Sequence, residues 1–128
     1  MQYALLLNNA EPAEGEVPTE TLLQMQRAMS DYTAALHAAG VFVGAEILES
    51  PARTVTVTRR EGDLRVQDGP FADTREALAG VFILDVPDRD AAIAWAEKCP
   101  ATQYAVLEVR KVTAACEAGV WNTAACTD

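Results

Sequence analysis

Between Gln67 and Phe82 the chain reads QDGPFADTREALAGVF, with three carboxylates, Asp68, Asp73 and Glu76, around one aromatic, Phe71. A carboxylate held against an aromatic wall at a cavity mouth loses hydration. Its pKa rises, and it can then serve as a general acid or base near neutral pH. On that chemistry Asp68 and Glu76 are candidate catalytic groups, Phe71 is a pocket wall, and Arg75 can pair with an acidic ligand. Glu46 joins the catalytic candidates, because it sits between Ala45 and Ile47 in an apolar run and faces either solvent or a cavity. Tyr3 and Tyr32 are amphipathic and can line a pocket, with core packing as the plainer assignment.

The same stretch also reads as chain geometry. Gly69 can take a positive φ and Pro70 fixes the next one, so the pair ends a strand. Asp73 or Thr74 then caps a short helical turn, with Glu76 near its N-terminal end. Only Phe71 is left without a structural reason.

Other chemistries are excluded by residue type. There is one histidine, His37, near the end of a helical segment, where it can bond the last carbonyls. One histidine and three cysteines without CxxC spacing (Cys99, Cys116, Cys126) argue against a zinc site and against a disulfide framework. No P-loop, GxGxxG or GxSxG is present. Any enzyme here works by carboxylate acid/base chemistry with no cofactor, such as isomerisation or elimination on a small cyclic acid or lactone. The net charge of −9, from 19 acidic and 10 basic residues, argues against nucleic acid and anionic membranes as partners. The first residues lack the basic and long apolar stretches of a signal peptide, and no run approaches a membrane span, so a cytoplasmic location is expected.

The elements that must position these residues follow from periodicity. Residues 2–8 form a short apolar run suited to a buried strand, and residues 8–18 form a loop. Thr19 caps a helix with Leu22, Met25, Met29, Tyr32 and Leu36 on one face, and Gly40 stops it. Residues 41–48 are a second strand. Thr54 to Thr58 alternates threonine and valine, and turns at Glu61-Gly62-Asp63 into Leu64-Arg65-Val66. That is a hairpin with one face buried and one wet. Residues 80–86 form another strand. Asp88 caps a second helix with Ala92, Ile93, Ala96 and Cys99 inward, and Pro100 ends it. Residues 104–109 are the last strand, and residues 113–128 are a small-residue tail after a domain spanning residues 1–112.

The order β-α-β, hairpin, β-α-β predicts an α+β, ferredoxin-like fold, an antiparallel sheet with both helices on one face. The other face needs a cover. A second copy of the sheet is the simplest, so a homodimer is predicted, with a cavity between the sheets.

Several blocks then make a recognisable pattern: MQYALLL at residues 1–7, LHAAGV at 36–41, DGPFADTRE at 68–76, GVFILDVPD at 80–88 and AWAEKCP at 94–100. Together they resemble the DGPF branch of the YCII-related proteins. The resemblance implies a ferredoxin-like subunit that pairs into a dimeric α/β barrel, and association with an alternative sigma factor. Other YCII-related proteins are similar to muconolactone-processing enzymes, for which a histidine–aspartate pair has been proposed as catalytic centre. The matching position here reads Pro18-Thr19-Glu20-Thr21-Leu22 and holds no histidine. The leading expectation is therefore a dimeric small-molecule-binding or accessory protein. The rival is a cofactor-independent isomerase, lyase or hydrolase.

Overall fold

A computed structural model describes residues 1–13 and 15–123. The body is a four-stranded antiparallel sheet of β1 (Gln2–Asn9), β2 (Phe42–Ile47), β5 (Ala77–Asp85) and β6 (Val106–Lys111), in the order β2-β5-β1-β6. Helices α1 (Thr19–Ala38) and α2 (Arg89–Glu97) make the two β-α-β crossovers. A hairpin, β3 (Val55–Thr58) with β4 (Arg65–Asp68), is inserted between β2 and β5. The predicted α+β arrangement is the observed one.

Strict alternation divides the sheet. Along β1, Tyr3, Leu5 and Leu7 are buried while Gln2, Ala4, Leu6 and Asn8 are only partly covered. Directly opposite residues share a face. The covered face therefore adds Phe82 and Leu84 of β5 and Val109 of β6, which stand opposite Leu5, Tyr3 and Leu5 respectively. Tyr32 and Leu36 of α1 and Ala92 and Ala96 of α2 close over it. Tyr32 lies at the centre, its ring 5.9 Å from Phe82 and 6.4 Å from Trp95. Its hydroxyl donates to the Trp95 carbonyl at 2.7 Å, tying α1 to α2.

Burial pushes the Tyr32 phenol above its ordinary value of 10.0, with a smaller contribution from Cys99, whose own thiol burial also pushes up. These are acids that the fold keeps protonated. Their contribution to stability is complete below their ordinary values and lost as pH rises toward the raised ones. Tyr32→Phe should cost about 0.5–1.5 kcal/mol at neutral pH, since the Trp95 carbonyl also accepts from Lys98 N–H and is not orphaned. Denaturation curves at neutral and alkaline pH should also show a shallower alkaline loss in the variant.

Gly80 lies on β5 opposite Ile47 of β2. A Cβ there would meet Ile47 Cδ1 at 2.9 Å and the Glu46 carbonyl at 3.0 Å, so glycine permits the close pairing. Gly40, at φ +74, ends α1, and Val41 N–H reaches back to Leu36 O at 3.2 Å. Asp88 caps α2 as predicted, accepting from Ala91 N–H at 2.8 Å.

Five expectations change. Thr19 is the first residue of α1 and the cap position is Pro18, whose side chain has no acceptor to offer. The stripe on α1 packs only toward its C-terminal end, where Tyr32 and Leu36 are buried, while Leu22 is 43% exposed. No helical turn follows Phe71. Thr74 Oγ1 donates to the Glu76 carbonyl at 2.6 Å, and β5 begins directly at Ala77. The last strand begins at Val106, because a 3-10 turn over Pro100–Gln103 uses the residues before it. The valine face of the hairpin is exposed, and among the described residues β3 and β4 pair only with each other. Beyond β6 the tail folds into a second hairpin, β7 (Ala115–Glu117) with β8 (Val120–Asn122). Cys126 lies outside the described residues.

Candidate functional site

The segment Gln67–Phe82 first closes the inserted hairpin. Gly69, at φ +96, donates its N–H to Thr54 O at 2.6 Å, and its carbonyl accepts from Thr56 Oγ1 at 2.7 Å. Pro70 cannot extend that ladder and turns the chain toward β5. The turn brings Pro70, Ala77 and Leu78 against Leu48, Glu49, Ser50 and Pro51, which follow β2.

The result is a cleft of two adjoining lobes, of about 240 Å³ and about 150 Å³. The smaller lobe adds Asn9, Glu11 and Pro12 from the end of β1. Ser50 is central. Its hydroxyl donates to Glu11 Oε2 at 2.7 Å and accepts from Ala52 N–H at 3.2 Å, capping a 3-10 turn over Pro51–Arg53. The lining offers two carboxylates, two hydroxyls and an amide, but no arginine or lysine. It suits a small ligand rich in hydrogen-bond donors.

The candidate residues chosen from sequence are spread apart. Asp68 ends β4 opposite Val55 and is exposed. Glu76 is exposed just before β5. Glu46 is exposed on β2 opposite Val81, five residues along β5 from Glu76, or about 17 Å of strand. One subunit does not gather these three carboxylates around one point. Phe71 is 84% exposed and stands beside Thr56, Thr58 and Arg60 on the hairpin. Arg75 is exposed. Tyr32 is in the core. Tyr3 is also buried there, and it borders a cleft of about 480 Å³ with Asp88, Arg89 and Lys111.

Sequence reasoning missed Ser50 and Glu11. They are 39 residues apart, both in loops, and neither type nor spacing marks them as a pair. It also missed a cleft of about 470 Å³ between α1 and the Pro100–Gln103 turn, lined by Thr21, Gln24, Met25 and Tyr104 among others. Burial raises the Tyr104 phenol pKa there, with a smaller effect of Cys99. Among the described residues, no group of three or more His, Cys, Asp or Glu could hold a metal ion. No helix among them is long and apolar enough to cross a membrane.

The family model described as YCII-related domain matches residues 1–115. The chain belongs to the YCII-related family. An uncharacterized protein of Rhizobium meliloti (strain 1021) is 29% identical over 96 residues, which is 75% of this chain and 77% of that protein. The YCII-related match takes in every strand of the main sheet and the whole of the cleft around Ser50.

Proposed function

We propose that this YCII-related protein, of the DGPF branch, is a homodimeric small-molecule-binding protein whose subunits pair by their open sheet faces into a dimeric α/β barrel. Residues 1–112 are the working unit and the later hairpin is appended to it. The observation that carries the reading is the uncovered face itself. Ala4, Leu6, Val81 and Ile83 form a partly covered apolar centre, flanked by Glu46, Glu108 and Arg110 in adjacent register. In a two-fold pairing each copy offers the same patch, so Arg110 of one copy can meet a glutamate of the other.

The cleft around Ser50 is the ligand site in this reading. Binding is favoured over catalysis because the candidate carboxylates are exposed and far apart, whereas acid/base chemistry needs a desolvated group within reach of substrate. An accessory role beside an alternative sigma factor is the physiological setting that the family resemblance favours. A cytoplasmic location agrees with the free thiols of Cys99 and Cys116.

A second reading has one observation in its favour. Pairing of the open faces would bury Glu46 and bring a desolvated carboxylate, the acid/base group that an isomerase, lyase or hydrolase requires, into the interface.

A thermal-shift screen of small polar metabolites separates the two. A ligand at a hundredfold excess over its Kd stabilises by about 2.7 kcal/mol. That stabilisation should vanish in Glu11→Gln/Ser50→Ala and survive in Glu46→Gln. Turnover of the ligand, abolished by Glu46→Gln, would instead establish the enzyme.

A further inference from the structure

We propose that the β3–β4 hairpin is a dimer arm, whose valine face packs against the acidic body of a second copy of this chain. The proposal rests on the homodimer reading and adds a surface to it.

Val55, Val57 and Val66 share one face of the hairpin, since Val57 stands directly opposite Val66 and Val55 lies two residues along β3. They are 57%, 63% and 63% exposed, and Leu64 before β4 is 54% exposed. A two-stranded hairpin alone is marginal in water and gains stability by packing its apolar face on a third layer. Among the described residues this subunit's own body leaves that face exposed, and the hairpin forms a separate two-stranded sheet.

Three features favour a second copy as the cover. The arm springs from the end of β2 and returns at the start of β5, so it is continuous with the edge of the open sheet face. The sheet face alone is small. Four strands ~4.8 Å apart and about six residues long at ~3.4 Å each give a footprint of about 400 Å². A stable interface buries about 800 Å² of accessible surface on each partner, and the arm extends the surface that a face of this planar size can offer.

Charge is the third feature. Residues 53–75 hold Arg53, Arg59, Arg60, Arg65 and Arg75 against four carboxylates, a net of +1. The whole chain carries −9, so everything outside this segment carries −10. Two bodies of that charge repel, and the hairpin itself, with Arg59, Arg60 and Arg65 against Glu61, Asp63 and Asp68, is a neutral part of each copy that can approach the other.

Sedimentation velocity on the full chain tests the arm with two independent variants, Val57→Ser/Val66→Ser and Arg59→Glu/Arg60→Glu. The changes lie outside the core, so far-UV circular dichroism should retain the helices of the body. Each variant should weaken dimerisation at least tenfold. Amides at 55–58 and 65–68 should show hydrogen-exchange protection in the wild-type dimer and lose it on dilution to monomer.

A wild-type dimer whose affinity neither variant changes would overturn the arm while leaving the pairing of sheets intact. A wild-type monomer would remove the homodimer reading and the arm with it. Protection of these amides only when a different protein is added would overturn the second copy as occupant.

Discussion

Phe82→Ala should lower the stability of the subunit by about 3–5 kcal/mol, measured by urea denaturation with circular dichroism. Phe82 is 1% exposed, and its ring packs against Tyr32. It lies opposite Leu5 on one side and Ala45 on the other, so the side chain spans the centre of the sheet. Deleting the ring loses its transfer energy and leaves a cavity that two paired neighbouring strands cannot collapse to fill. A typical domain has only about 5–15 kcal/mol of net stability, so the variant should be marginal at physiological temperature. A loss below about 1 kcal/mol would contradict the placement of the core between sheet and helices.

The second large effect concerns association. Leu6→Glu should leave the subunit folded and weaken dimerisation by more than about a hundredfold, because an unpaired carboxylate buried in an interface costs about 3–5 kcal/mol. Leu6 lies in a row that runs Glu46, Val81, Leu6, Glu108 across β2, β5, β1 and β6. A new carboxylate there stands directly opposite Glu108 on one side, with Glu46 beyond Val81 on the other. No cation stands in that row, and Arg110 on the same face stands opposite Ala4 rather than Leu6. Leu6→Ala removes apolar contact without adding charge and should have a much smaller effect.

Much of the body was legible because periodicity reports which residues share a face. The alternation Tyr3-Ala4-Leu5-Leu6-Leu7, the helical stripe ending in Tyr32 and Leu36, and the capped helix after Asp88 each specify an element and its inner side. Periodicity does not report whether a face has anything to pack against. The threonine–valine alternation of β3 correctly divides the hairpin, yet the valines face outward, because none of the described residues covers them. For the same reason the stripe on α1 overstates its packing, and a cleft opens beside its N-terminal half.

The site was less legible for a different reason. Asp68, Phe71 and Glu76 are close in sequence, but an extended chain carries neighbours apart by about 3.4 Å per residue and alternates their direction. Ser50 and Glu11 meet because β1 and β2 both finish at the end of the sheet where β5 begins, an arrangement set by strand order and loop path. The glycine and proline of the DGPF motif were read correctly as a strand exit, with the Gly69 N–H bonded to Thr54 just before β3 and its carbonyl to Thr56 within it. The helical turn expected after Phe71 lost to a shorter device, the Thr74 hydroxyl bonding forward to Glu76, which lets β5 start early.

The most direct test of the account is the mass of the wild-type protein in solution at micromolar concentration, by sedimentation velocity beside Leu6→Glu. The account predicts a dimer of the 128-residue chain for wild type and a folded monomer for the variant. A monomeric wild type, or a Leu6→Glu protein that dimerises as tightly as wild type, would contradict it.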